Sequence, residues 1–357
     1  MIKHKTYFIK TFGCQLNFAD SERVAAALEK QGYQPSESIE KANLVVINSC
    51  IVRESAENRV YGLLNKLKVK NAKCKVILTG CLAGWALRNG RVNLNKLKKR
   101  TGNKVEIKLI EDIADFDVQA QRKSDDYGYV PISNGCNHFC SYCIVPYARG
   151  REVYRSAEEI IKDMHCAVKQ GYSKIMLLGQ NVNTWVNADF RGEEHTRINA
   201  DSFADLLNIV ANINGVEEVT FMSANPRDFS DKLIKVIAEN KTISREIHLP
   251  VQSGDNNILQ AMNRGYTRED YLNLIDRIKR KIPKAEITTD LLVGFPGETD
   301  QAFESTVDLC RQVNFKRAFI NKYSPRPGTA AAKKYEDSVP HPTKKKRWQA
   351  LEDLING

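Results

Sequence analysis

Strand-like apolar runs alternate with amphipathic stretches through the first third of the chain. Residues 6–11 (TYFIKT), 44–47 (LVVI) and 76–79 (VILT) have strand length and strand composition, while the segments near 20–31 and 54–67 repeat their apolar positions at helical spacing. Runs with few polar interruptions suit strands covered on both faces, so the pattern predicts βαβ units in a small three-layer domain with a parallel sheet. The pattern breaks into acidic and polar residues around 112–127, which predicts a linker. A second series follows, with strand-like runs at 129–133, 173–178, 217–222, 246–249, 286–292 and 315–320. Helical patterns fill the gaps at about 156–169, 203–212, 228–239, 268–281 and 299–312. Six β units are too few for an eight-fold barrel and predict an open six-unit barrel. Residues 341–357 read as one basic helix. The expected division is therefore an α/β domain over 1–115, a linker at 116–127, the barrel at 128–340 and a C-terminal helix.

Composition narrows the class. With 357 residues, 42% hydrophobic and 27% charged, the chain is neither mainly disordered nor collagen-like. No apolar run approaches the ~18 residues of a membrane helix, and the start does not read as a signal peptide, so a cytoplasmic protein without a membrane partner is expected. The net charge of +11 favours a polyanionic partner, nucleic acid first. Between Lys66 and Lys108 there are thirteen Lys and Arg against one acid, Glu106, which suits either a solvated surface or an RNA-facing patch. Arg149 and Arg151 are further candidates for RNA phosphate. Nine cysteines in such a chain suggest metal or cluster ligation rather than a disulfide scaffold.

Three of them form the array Cys136-x3-Cys140-x2-Cys143, just past the first barrel strand, where barrel enzymes place their chemistry. An iron–sulfur cluster of four irons takes four ligands; three thiolates leave one iron open to a substrate. The competing reading is a zinc ion with His138 or His165 as fourth ligand, but no second C-x2-C or H-x3-H pair closes the tetrahedron. Cys14, Cys50 and Cys81 each lie just past the carboxyl end of a predicted parallel strand, the edge at which open α/β sheets bind ligands. They read either as a second metal site or as three small core cysteines. Cys74, Cys166 and Cys310 read as structural.

The array CNHFCSYC followed by IVPYARGR resembles the radical S-adenosylmethionine (SAM) enzymes. TFGCQLN (11–17), NSCIVRE (48–54) and TGCLA (79–83) are similar to the cysteine motifs of the methylthiotransferase amino-terminal domain. LLGQNVN (177–183), PVQSGDNNILQAMNRGYTRE (250–269), LLVGFPGET (291–299) and KYSPRPGT (322–329) resemble the same family. Within it the chain is most similar to the members acting on N6-isopentenyladenosine in tRNA, which carry Val-Arg-Glu after the second cysteine, here Val52-Arg53-Glu54. Gly84 stands where members commonly have Gln. Members normally continue into a small β-barrel RNA-binding module, the TRAM domain, which is expected to be absent here.

The resemblance implies a radical SAM partial barrel and two [4Fe–4S] clusters. Cys136, Cys140 and Cys143 would hold the catalytic one that binds and cleaves SAM, and Cys14, Cys50 and Cys81 the auxiliary one that carries sulfur. It implies SAM contacts from Tyr142, Gln180, Gln252, Ser253 and Arg264, and a backbone approach to the cofactor by the turn at Gly294, Pro296 and Gly297. The implied reaction inserts a methylthio group at carbon 2 of N6-isopentenyladenosine at position 37 of tRNA, with one SAM as methyl donor and a second as radical source. Alternatives are a methylthiotransferase for threonylcarbamoyl-adenosine tRNA or for a ribosomal protein aspartate, and a non-catalytic RNA-binding iron–sulfur protein. The implied partners are tRNA and a reductant such as flavodoxin or ferredoxin, and a monomer is expected.

Overall fold

The computed structural model describes residues 5–52, 54–70, 74–102, 104–115, 118–123, 126–187 and 202–357. The first part is a parallel sheet of β1 (Thr6–Phe12), β2 (Gln34–Pro35), β3 (Leu44–Ser49), β4 (Lys75–Gly80) and β5 (Val105–Ile107), in the order β2-β1-β3-β4-β5. Alternate residues of β3 enter opposite cores. Val45 and Ile47 pack with Val60, Leu64, Leu78 and Leu82, while Leu44 and Val46 pack with Tyr7, Val24 and Leu28. Both faces are therefore covered, as the lack of polar interruption in LVVI requires.

The second part carries β6 (Gly128–Pro131), β7 (Ser133–Asn134), β8 (Val153–Tyr154), β9 (Lys174–Leu178), β10 (Glu218–Phe221), β11 (Glu246–His248), β12 (Glu286–Val293) and β13 (Arg317–Lys322). Two parallel sheets, β6-β9-β10 and β11-β12-β13, are joined through a parallel bridge from Val219 to Ile243. Among the described residues this gives six parallel barrel strands in chain order, with β7 and β8 as an antiparallel pair at the mouth. The helices Ala157–Lys169, Phe203–Ala211, Asp231–Glu239, Arg268–Lys281 and Asp300–Val313 cover the outside, and one core runs from Val130 through Ile175, Val219 and Ile287 to Leu351.

All nine predicted strands and the helices between them are present within a few residues of their expected limits. The first helix runs Gln15–Lys30, starting directly after Cys14. The strands β2 and β5 have no counterpart in the pattern, because two or three residues carry no periodicity. The C-terminal helix, His341–Ile355, turns Lys344, Arg347 and Leu351 inward against the barrel rather than lying as a solvated basic element.

Candidate active site: two cysteine groups and a cavity beside the array

Strand register determines the place of the first group. Phe12 pairs with Ser49, and Ser49 with Gly80. Cys50 therefore directly follows β3, Cys81 opens the helix Cys81–Arg88 directly after β4, and Cys14 lies two residues past the end of β1. The strand order reverses between β1 and β3, so the group sits at a topological switch point. A buried amide pair lies beneath it: Asn17 Nδ2 donates to Asn48 Oδ1 at 3.1 Å, and Asn48 Nδ2 donates to the Asn17 carbonyl at 2.7 Å. Asn17 Oδ1 also accepts from the Cys14 backbone N–H at 3.3 Å, tying the first cysteine loop to the second. Cys14 faces solvent, whereas Cys50 and Cys81 are buried.

The array forms the second group, on the loop between β7 and the short helix Val145–Arg149. The Cys143 backbone N–H donates to the Cys140 carbonyl at 2.9 Å, and Phe139 takes a left-handed φ of 48°, so the loop coils back on itself. Burial pushes the Cys136 thiol up to about 11. It pushes Cys143 up further, with the neighbouring Cys140 adding to the shift. Ile144 and Ala148, which follow the array, are buried in the core of the first part. Gly84 explains itself here: a Cβ would strike the Ala148 carbonyl, so a larger residue would push the two helices apart.

Each group has a buried arginine on one of its sulfurs. Arg264 donates from Nη1 to Cys140 Sγ at 3.4 Å, from Nη2 to the Pro250 carbonyl at 2.8 Å and from Nε to Tyr266 Oη at 2.9 Å. Arg149 donates from Nε to Cys81 Sγ at 3.3 Å, from Nη1 to Asn134 Oδ1 at 2.9 Å and from Nη2 to Asp20 Oδ2 at 2.7 Å. Burial works against the Arg149 cation, and Asp20, Cys81 and Cys14 together outweigh it. Arg149 is thus a wedge between the two cysteine groups and not an RNA contact. Arg151 is exposed and stacks over Phe139, 4.6 Å from the ring centroid.

A cavity of about 810 Å³ lies beside the array. Tyr142 and Cys143 line one side, Val52 and Ser55 from beyond Cys50 line the other, and Gln252, Leu292, Ile320, Tyr323 and Arg326 complete its wall. Of the residues expected to contact SAM, Tyr142 and Gln252 reach this cavity. Gln252 holds a left-handed φ of 74°, a conformation that costs about 1–3 kcal/mol and clusters at functional sites. Gln180, Ser253 and Arg264 lie outside the lining, and Ser253 accepts from the Asp255 backbone N–H at 3.3 Å. Gly294 backs onto the aliphatic chain of Lys344, so the turn at Gly294, Pro296 and Gly297 is packed by the C-terminal helix. Arg53 lies outside the described residues.

The donor chemistry fits iron–sulfur ligation. All six cysteines are free thiols. Four buried arginines (Arg23, Arg122, Arg149 and Arg155) share the buried carboxylates of Asp20 and Asp163, with buried Glu22 nearby. At the sulfurs themselves, Arg149 and Arg264 supply cationic donors that a thiolate-bound cluster, itself net negative, would offset. Among the described residues no three His, Cys, Asp or Glu are gathered as for one metal ion. His138 pairs with Asp228 at 2.8 Å, and His165 is exposed on its helix.

The radical SAM superfamily model matches residues 130–310, and that of the uncharacterized protein family UPF0004 matches residues 6–96. A tRNA-2-methylthio-N(6)-dimethylallyladenosine synthase of Clostridium botulinum (strain Langeland) is 41% identical over 374 residues, covering 98% of this chain and 81% of that protein. Proteins of the same description from Carboxydothermus hydrogenoformans and Thermotoga petrophila are 42% and 40% identical, over 99% and 98% of this chain and 84% and 81% of their own. The chain belongs to this family of radical SAM methylthiotransferases. The enzyme is accordingly a transferase with SAM and [4Fe–4S] clusters as cofactors. Its fold is shared with the radical SAM methyltransferase TsrM of Kitasatospora setae (TM-score 0.62, 13% identity, 92% of this chain and 77% of that one). It is also shared with the radical enzyme OxsB (TM-score 0.57, 10% identity, 99% and 61%). No described helix is long and apolar enough to cross a membrane.

Proposed function

We propose that the enzyme replaces the hydrogen on carbon 2 of N6-isopentenyladenosine, at position 37 of tRNA, with a methylthio group, consuming one SAM as methyl donor and a second as radical source. The observation that supports this reading is the cavity that Tyr142 and Cys143 of the array line together with Val52 and Ser55, the residues that follow Cys50, because sulfur transfer and hydrogen removal must reach one carbon atom. In this reading Cys136, Cys140 and Cys143 hold one [4Fe–4S] cluster and Cys14, Cys50 and Cys81 the other. When bound, the clusters supply the electron that cleaves SAM and the sulfur to be inserted. Tyr142 packs against SAM, and the strained Gln252 presents its amide to it. Val52, Leu292, Ile320 and Val339 give part of the cavity an apolar wall against which a prenyl tail can pack, beside the charged Asp290, Lys322, Arg326, Asp337 and Lys344. An adenine beside the anticodon lies in a single-stranded loop and can be splayed into such a cavity. The tRNA substrate puts the enzyme in the cytoplasm, acting as a monomer with a flavodoxin or ferredoxin as reductant.

Anaerobic reconstitution tests the reading. The parent enzyme should take up about eight irons per chain, two four-iron clusters, and form 5′-deoxyadenosine from SAM after reduction. Replacing Cys136, Cys140 and Cys143 with Ala should halve the iron and abolish SAM cleavage. Replacing Cys14, Cys50 and Cys81 should remove the other half and leave cleavage largely intact. Full iron content in the second triple variant would make those residues core cysteines, and tRNA nucleoside mass spectrometry identifies the modified base.

A further inference from the structure

We infer that Arg149 positions the Cys14–Cys50–Cys81 group against the array loop and biases the charge of whatever that group holds. This rests on the reading that the group holds a [4Fe–4S] cluster. Arg149 spends its fork on three separate segments: Cys81 beyond β4, Asn134 just ahead of the array, and Asp20 on the helix Gln15–Lys30. The planar guanidinium presents its donors in fixed directions, so one buried side chain sets the mutual placement of all three segments; a lysine offers a single point charge and cannot replace it. The residue is 8% exposed, so water screens its charge little.

A cationic donor on a thiolate sulfur stabilises the more negative, reduced state of a cluster and raises its potential, since hydrogen bonds and local charge are two of the protein's levers on that quantity. Arg264 makes the same kind of contact to Cys140, but none of its hydrogen bonds goes to a carboxylate. Arg149 is paired with Asp20, and Asp20 is shared with Arg23 at 2.6 Å. Asp20 therefore damps the bias of Arg149, and the two residues must act with opposite sign. No general loosening of the fold produces opposite signs.

The test is a reductive titration of the full chain carrying C136A, C140A and C143A, in which the remaining cluster is followed by electron paramagnetic resonance. Arg149→Gln should lower the midpoint by a tenfold change in the reduced-to-oxidised ratio, 59 mV for a one-electron couple. Asp20→Asn should raise it. Arg149→Lys, which keeps the charge without the fork, should fall between the parent and Arg149→Gln, and it carries the test with Asp20→Asn should Arg149→Gln not fold. Iron-loaded variants with the parent's midpoint, or shifts of Arg149→Gln and Asp20→Asn in the same direction, overturn the inference and leave the ligand assignment standing. A parent that takes up no iron overturns the ligand assignment, and the inference with it.

Discussion

Gly80 shows how tightly single residues hold the cysteine loops. It has φ +83°, and a Cβ there would lie 2.6 Å from the Ser49 carbonyl oxygen and 2.7 Å from its nitrogen, and would also strike Asn48 Oδ1. Gly80→Ala should therefore destabilise the fold by at least the ~1–3 kcal/mol of a strained backbone conformation, and it should cost iron at the first cysteine group, because Asn48 and Cys81 move together. Urea unfolding and iron content of Gly80→Ala measure both effects, and parent values in each would show that the loop accommodates a side chain. At this scale the place of Cys14, Cys50 and Cys81 just past three parallel strand ends was legible, since each follows a strand-like run. Arg149 was not, and its exposed-looking place in YARGR was misread. Its carboxylate partner, Asp20, lies 129 positions away, and nothing local distinguishes a buried arginine from a solvated one.

Elements were legible where their apolar period was long and failed where it was short or interrupted by charge. The six barrel strands carry four or more apolar or β-branched residues in their neighbourhood, whereas β2 and β5 borrow their strand character from the neighbours they pair with. The C-terminal helix was found, but its charge concealed which face is inside. Lys344, Arg347 and Leu351 share a face at spacings of three and four, and the two cations reach inward with their alkyl stems buried. Arg347 Nη1 donates to Glu298 Oε2 at 2.7 Å, while Glu298 accepts from the Gly294 backbone N–H at 2.6 Å. Both side chains are buried, so Arg347→Ala leaves a carboxylate without its counter-charge and should cost about 3–5 kcal/mol. The double variant Glu298→Gln, Arg347→Met removes both charges and should cost clearly less. Equilibrium unfolding of the parent, each single variant and the double decides this; additive losses would mean that the ion pair contributes nothing as a pair.

The whole molecule joins two cysteine groups and a basic face. The helix Arg91–Thr101 contains no acid and exposes Lys96, Lys98 and Lys99. Its last turn reaches the active cavity through one side chain: Glu57 pairs with Arg100 at 3.2 Å and with the cavity residue Arg326 at 3.6 Å. Arg100 is further stacked on Tyr61, 3.8 Å from the ring centroid, so it is a fixed part of this path and not a free cation. The excess of thirteen cations over one acid between Lys66 and Lys108 announced a basic face in the sequence; that it leads to the cavity required the fold, because Glu57 and Arg326 are far apart in the chain. An RNA whose base enters the cavity would lay its phosphates along this helix. Affinity for tRNA should then fall on the order of a thousandfold between 50 and 200 mM salt if about six phosphates are neutralised, and it should discriminate poorly between tRNAs, since phosphate contacts position without specifying. Changing Lys96, Lys98 and Lys99 to Glu should weaken binding and flatten the plot of log affinity against log salt by nearly one unit per lost phosphate contact. The three lysines hold no buried contact, so the variant's thermal unfolding should match the parent's. A triple variant that binds tRNA like the parent at every salt concentration would place the phosphate track elsewhere on the mouth, with Arg151, exposed over Phe139 on the array side, the next residue to change.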